Sequence, residues 1–366
     1  MRITAVTTQI ASTAFDYGNP AGPGGNLHLS AMDTLLVKVE TDAGLTGWGE
    51  GFGFTLVPTT RDALERLIAP VCIGQDARDI PALMRLLHRR FHNFGRNGPV
   101  TFALSGLDIA LWDLAGKAAG KPLHALLGGK RRDRVPAYAS LLRYGDPALV
   151  RENAARAIAR GYRHIKLHEV EVPCIAGARE VMPSDIPLML DINCRWDGVS
   201  EALDFATAVR PLGVRWIEEP VWPPEDANAI ALVRAGAALP VAAGENCGGV
   251  EDFRRLFAAG AVDVAQPSVT KVGGVSGVRA VQALAAEHGV TVVPHSPYFG
   301  PGLLATLHMA ATYSHIDGIE LFGVQLESGL FGGVGMPGPG GEIAVPQGPG
   351  LGCDPDPAAI ARYRIQ

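Results

Sequence analysis

The sequence predicts an α/β chain in which a barrel of alternating strands and helices follows a smaller α+β domain. Three observations carry this. From Arg134 onward, eight short apolar runs recur about every 20 to 30 residues. Most gaps between them hold an amphipathic helical pattern, the alternation expected of strand–helix–strand units. The first 125 or so residues follow a different plan, with strand-like segments first and helical periods after them.

In chain order, Met1 to Ile10 leans towards strand. Thr34–Thr41 alternates, Asp42-Ala43-Gly44 signals a turn, and Leu45–Glu50 returns as a second arm, giving a hairpin. The stretch Tyr17–Asn26 is too rich in Gly for a regular element; its composition fits a lid or binding loop and simple disorder equally. Asp62–Ile68 and Ile80–Leu87 show the helical period, and Thr101–Lys117 is an Ala- and Leu-rich helix with Asp108 and Asp113 among apolar neighbours. The eight runs are Val135–Leu141, His164–Glu169, Ile186–Asn193, Val214–Pro220, Leu239–Glu245, Val262–Ser268, Thr291–Ser296 and His315–Gly323. Helical patterns such as Pro147–Arg160, Ser200–Val209 and Ser276–His288 separate them. The division expected is 1–125 for a capping domain, 126–330 for the barrel, and 331–366 for a Gly- and Pro-dense tail returning to the cap.

Composition excludes several functions. The 366 residues carry 32 Lys and Arg against 37 Asp and Glu, a net charge of −5 without long charge runs. No basic stripe points to nucleic acid and no polybasic segment to a membrane surface. No apolar run is long enough to cross a bilayer, and the N-terminus lacks the pattern of a signal peptide. Five cysteines without a C-x-x-C pair suggest reduced thiols in a cytoplasm.

In barrels of this kind, chemistry sits where strands end. The third run ends Leu190-Asp191-Ile192-Asn193, the fourth Glu218-Glu219-Pro220 and the fifth Gly244-Glu245-Asn246. Asp191, Glu218 and Glu245 are each 27 residues apart, one acid per strand–helix unit. Three acids meeting at one spot repel, and a divalent cation that prefers oxygen ligands resolves the repulsion. Around them stand acid/base candidates. Lys166 and His168 end the second run on one face of the strand, and His295 ends the seventh. Ser268 ends the sixth, Lys271 follows it, and Glu320 lies in the eighth.

With these residues, and with Gly47-Trp48-Gly49-Glu50, Ser105–Asp113 and Gly348-Pro349-Gly350-Leu351-Gly352, the chain resembles the enolase superfamily, mandelate racemase subgroup, over nearly its whole length. The resemblance implies a modified (β/α)7β TIM barrel, Mg²⁺ held by Asp191, Glu218 and Glu245, and an assembly of identical subunits. It assigns Lys166, His168 and His295 to catalysis, and Asn193 and Glu320 to substrate contacts; Ser268 and Lys271 join these as substrate-binding candidates. By analogy, Tyr17–Asn26 and Phe52–Val57 form the specificity lid. Two positions depart from the family. His168 replaces a lysine base, and Ser268 replaces the aspartate that charges the seventh-strand histidine. A serine offers His295 a hydrogen bond but no charge, which favours acid over base duty there.

The expected chemistry is Mg²⁺-dependent removal of the proton α to a carboxylate, giving an enediolate, followed by dehydration of a hydroxy acid or sugar acid to a 2-keto acid. A racemase, epimerase or cycloisomerase on the same site is the nearest alternative. A Schiff-base aldolase using Lys166 and a non-catalytic metal-stabilised binding protein are alternatives of other classes.

Overall fold

A computed structural model describes residues 1–19, 30–313, 316 and 318–365. Most of the expected loop after Tyr17, together with His28 and His315, lies outside these residues.

Three antiparallel strands open the chain: β1 (Ile3–Asp16), β2 (Ala31–Thr41) and β3 (Thr46–Gly51). The first runs six residues beyond the expected strand, because its pairing with β2 continues to Ala14 and Phe15 and Asp16 then pair with Leu326 and Gln325. The Gly47-Trp48-Gly49-Glu50 arm packs so closely on helix Pro99–Ala119 that a Cβ on Gly49 would collide with the Gly106 carbonyl. Trp48 N–H donates to Asp113 Oδ2 at 2.8 Å, and Lys117 Nζ pairs with the same oxygen at 2.7 Å. Asp113 is thus a buried acid with partners, and its Oδ1 accepts from Leu351 N–H in the tail at 2.8 Å.

The second layer is a curled parallel sheet. Its strands are β4 (Arg134–Leu141), β5 (Ile165–Leu167), β6 (Leu188–Asp191), β7 (Val214–Glu218), β8 (Val241–Ala243), β9 (Val264–Ala265), β10 (Thr291–Val292) and β11 (Ile319–Phe322). They lie in the order β10-β9-β8-β7-β6-β5-β4-β11. Seven strands are each followed by a helix, Pro147–Ala159 the first and Pro301–Thr312 the last, and β11 has none, so the barrel is of the (β/α)7β type. Its two edges meet through Ser296, whose N–H and Oγ–H donate to Glu320 Oε2 (3.1 Å) and to the Glu320 carbonyl (2.7 Å).

Alternation decides what faces where. Ile165, Leu167, Leu188 and Leu190 join the main core under the helices. Tyr138, Met189, Trp216, Ala242, Val264 and Val293 form a separate apolar layer inside the barrel. Lys166 lies between two outward leucine and isoleucine positions, so it points inward with that layer. Just before the tail, β12 (Gln325–Leu326) pairs with β1; the tail adds β14 (Arg364–Ile365) to β1 and β13 (Glu342–Ala344) to β4. Among the described residues no helix is long and apolar enough to cross a membrane, and all five cysteines are free thiols.

Candidate active site

The parallel register sets Asp191 of β6 beside Glu218 of β7, and Glu245 follows the end of β8. Carboxylate oxygens of the three lie within 4.8 Å of one another. Burial and the neighbouring Asp191 charge push the Glu218 carboxyl well above the usual range. Burial acts on Asp191 in the same sense, but Lys166 and His168 outweigh it and hold that group well below its usual value. A cluster of hard oxygen donors with one acid driven out of ionisation fits a divalent cation of the magnesium type.

Lys166 lies beneath the acids with no side-chain exposure. Its Nζ contacts Asp191 Oδ2 (3.0 Å), Glu218 Oε1 (2.8 Å) and Glu320 Oε1 (2.9 Å). Burial alone would lower its pKa; the three carboxylates reverse that and raise it well above the ordinary lysine value. Glu320 shows the reciprocal effect: burial pushes it up, yet Lys166 holds it at about 2.

The two histidines abut opposite ends of the triad. His168 Nδ1 sits 2.7 Å from the Leu141 carbonyl oxygen, which can only accept, so Nδ1 carries hydrogen. Nε2 is then the nitrogen free for proton transfer, and it lies 3.2 Å from Asp191 Oδ2. Burial lowers the ring's pKa, but Asp191 reverses this and raises it. At the other end, His295 Nε2 is 3.1 Å from Glu245 Oε2. Burial lowers the His295 pKa, and Glu245 and Glu320 oppose the shift without cancelling it.

Ser268 does not meet the expectation of a hydrogen bond to the His295 ring. The two residues face each other across a parallel bridge, but the Ser268 hydroxyl pairs with Tyr298 OH (3.2 Å) and Thr270 Oγ1 (3.4 Å). Tyr298 OH in turn donates to the His295 carbonyl at 2.8 Å. Among the described residues, the buried His295 Nδ1 has no hydrogen-bond partner.

Asn193 donates its N–H (3.1 Å) and Nδ2–H (2.9 Å) to Asp191 Oδ1, so its amide nitrogen orients an acid of the triad. Asn193 adopts a left-handed backbone at φ 47°, as do Cys194 (53°) and Glu219 (48°), three strained non-glycine residues beside the acids. Lys271 Nζ lies 4.4 Å over the Phe52 ring, 3.5 Å from Asn246 Oδ1 and 3.8 Å from Glu245 Oε1, joining the cap to the strand ends. Tyr17 stacks on Tyr144 with ring centroids 5.9 Å apart. Arg96 and Asn97 occupy a loop between helices, where Asn97 Nδ2 donates to the Asn246 carbonyl at 2.8 Å.

Sequence reasoning passed over Glu219. It is buried, and both its oxygens accept from Asn246 Nδ2 (2.9 and 3.0 Å). Burial and the Glu245 charge push it well up. Its signal was the doubled acid at 218 and 219 followed one unit later by Asn246 after Glu245.

Fold and site together define a capped (β/α)7β barrel with an acid triad at its mouth. Residues 28–128 match the mandelate racemase / muconate lactonizing enzyme N-terminal domain, and residues 149–359 the enolase C-terminal domain-like family; the chain belongs to the enolase superfamily, in its mandelate racemase group. It is 32% identical to D-galactarolactone cycloisomerase of Agrobacterium fabrum, over 100% of this chain and 99% of that one. It is 32% identical to D-galactonate dehydratase of Ralstonia nicotianae, over 89% and 90%. A mandelate racemase/muconate lactonizing protein from Paracoccus denitrificans, solved with magnesium, superposes with a TM-score of 0.86 at 28% identity, covering 100% of this chain and 98% of that one. The relatives are lyases and isomerases, and the chain is an enzyme of that kind.

Proposed function

We propose that the chain dehydrates a sugar acid or related hydroxy acid to a 2-keto acid in a Mg²⁺-dependent reaction, with Asp191, Glu218 and Glu245 as the metal ligands. In this reading, residues 1–125 cap a barrel of 126–330 and the tail 331–366 secures the cap. The observation that carries it is the placement of two histidines at opposite ends of an acid triad of which Asp191 and Glu218 are buried. When bound, Mg²⁺ supplies positive charge that offsets the triad and stabilises the negative charge developing on the substrate carboxylate.

His168 Nε2 takes the proton from the carbon α to the carboxylate. Its Nδ1–H bond to Leu141 fixes the ring so that this nitrogen faces the triad. Lys166 remains a cation and adds fixed positive charge below the reacting carboxylate. The same three ion pairs deny it the neutral amine that a Schiff-base aldolase needs. His295, with no charged partner on Nδ1, is suited to give a proton to the departing β-hydroxyl, which leaves as water. The α C–H electrons form the new double bond as the β C–O bond breaks, and the enol product tautomerises to the 2-keto acid. Asn193, Ser268, Lys271 and Glu320 complete the substrate pocket in this reading.

The cycloisomerase relative supports a second outcome, isomerisation without loss of water. The test is incubation with Mg²⁺ and a panel of sugar acids in D₂O, reading 2-keto acid and deuterium at the α carbon. Two-face exchange with no keto acid would replace dehydration by racemisation. A panel with neither signal, on enzyme shown to bind Mg²⁺, would remove the reading.

A further inference from the structure

The acid ring is closed on most sides. Lys166, Asp191, Glu218 and Glu320 keep at most 2% side-chain exposure, whereas His168 keeps 15% and Glu245 13%. A substrate whose carboxylate reaches the triad therefore extends outward past His168 or Glu245. The cations at the strand ends differ in what they have left to offer. Lys166 has three carboxylates for its three N–H donors. Lys271 is held over Phe52. Arg195 is exposed and lies over the Trp196 ring.

Arg143 is different. It follows β4 at the same rim and is half-buried, and its Nε–H donates to the His168 carbonyl oxygen at 2.6 Å. That bond keeps the guanidinium carbon within about 4 Å of the backbone of the base. Among the described residues its Nη groups have no hydrogen-bond partner. The backbone beneath it is fixed. Tyr144 N–H donates to Glu169 Oε1 (2.6 Å), Gly145 N–H to both Glu169 oxygens (3.3 Å each), and Tyr144 OH to the Tyr17 carbonyl (2.9 Å). Glu169 attracts Arg143 but spends both oxygens on these backbone donors. An arginine tethered at Nε and unused at both Nη atoms offers a preorganised fork for a planar anion.

We infer that Arg143 binds a second carboxylate at the far end of the substrate, so that the preferred substrate class is a sugar diacid (aldarate) over a monoacid (aldonate); this rests on the reaction proposed above. An aldarate carries a carboxylate at each end, one for the triad and one for Arg143. An aldonate of the same configuration ends in a hydroxymethyl group, which leaves the guanidinium without an anionic partner.

The test is calorimetric binding of six-carbon aldarates and the matching aldonates to Mg²⁺-loaded protein, beside turnover of the same acids. The wild type is expected to bind its best aldarate about tenfold or more tightly than the matching aldonate. Arg143→Gln should bring that ratio to within about threefold of one, and Arg143→Lys should retain part of it. Absence of a preference in the wild type, a preference that survives Arg143→Gln, or parallel loss of both ligands in both variants would each overturn the assignment. The two ideas fail separately. Discrimination in binding without keto acid or α-exchange removes the reaction and leaves Arg143 standing, and turnover without discrimination does the reverse.

Discussion

Ser268 and His295 face each other across a parallel bridge between the sixth and seventh barrel strands, yet the serine hydroxyl turns to Tyr298 and leaves the histidine Nδ1 without a partner among the described residues. The contact that would make His295 a strong base is therefore missing on both counts: position 268 carries no charge, and its hydroxyl is engaged elsewhere.

Ser268→Asp should restore that contact. A carboxylate beside Nδ1 favours the protonated ring and raises its pKa. The outcome expected is new α-proton exchange at the face opposite His168, read by NMR in D₂O, with slower keto acid formation. If the variant folds and still exchanges at one face only, His295 does not reach the α carbon.

Glu218→Gln replaces one carboxyl of the triad by an amide that cannot ionise, while keeping an acceptor for Lys166 Nζ, which lies 2.8 Å away. Metal affinity should fall and turnover should drop by about a thousandfold or more. Stability separates a metal role from a structural one. Added Mg²⁺ should stabilise the wild type by about 2.7 kcal/mol at a hundredfold excess over Kd and leave the variant's melting temperature nearly unchanged. Equal Mg²⁺ stabilisation of both proteins would argue that the ion binds elsewhere.

Much of the barrel was legible because its strands are buried on both faces and read as short apolar runs closed by polar residues. The 27-residue spacing of Asp191, Glu218 and Glu245 was legible for the same reason, since each strand–helix unit repeats with little insertion. What sequence could not show is direction. The Ser268 hydroxyl had two neighbours to choose from, and Tyr298 lies 30 positions away. Arg143 reads as an ordinary surface arginine until the fold brings the His168 carbonyl to its Nε. Glu219 was hidden by Glu218, because alternation assigns only one of two adjacent acids to the barrel interior, whereas the left-handed backbone at 219 lets the second stay buried as well.

Glu50 shows the same long reach. This cap residue of β3 is buried, and its Oε2 accepts from Gly302 N–H at 2.8 Å, at the start of the helix that follows β10. Burial pushes its pKa up to about 7, against the lowering effect of the Gly302 and Gly300 N–H bonds. The folded protein therefore keeps Glu50 protonated over a range where the unfolded chain has lost that proton. Its contribution to stability is present below about pH 4.5 and is lost as pH rises to about 7. Glu50→Gln keeps an acceptor and cannot ionise. Its melting temperature relative to wild type should rise between pH 5 and 7 and level off above. A difference that is flat with pH would mean the carboxyl stays ionised in the fold.

His308 should have the opposite sign. It is fully buried against His124, with ring centroids 5.2 Å apart. Burial lowers its pKa to about 4, and the neighbouring His124 adds to the shift, although the Leu351 backbone carbonyl favours the protonated ring. Between about pH 6.5 and pH 4 the unfolded chain binds a proton that the folded one refuses, so stability falls as the solution is acidified through that window. The slope approaches about 1.4 kcal/mol per pH unit for one such group. His308→Gln keeps an acceptor for the His124 N–H, which reaches His308 Nδ1 at 3.3 Å, and carries no titrating ring. At pH 7.5 the variant should be no more stable than wild type, since both rings are neutral there. From pH 6.5 downward, thermal melts should show the variant gaining on the wild type. Glu50 titrates across an overlapping range with the reverse sign, so only the difference between variant and wild type isolates His308. Parallel melting curves from pH 7.5 to pH 4.5 would show that the buried ring accepts its proton as readily in the fold as in the unfolded chain.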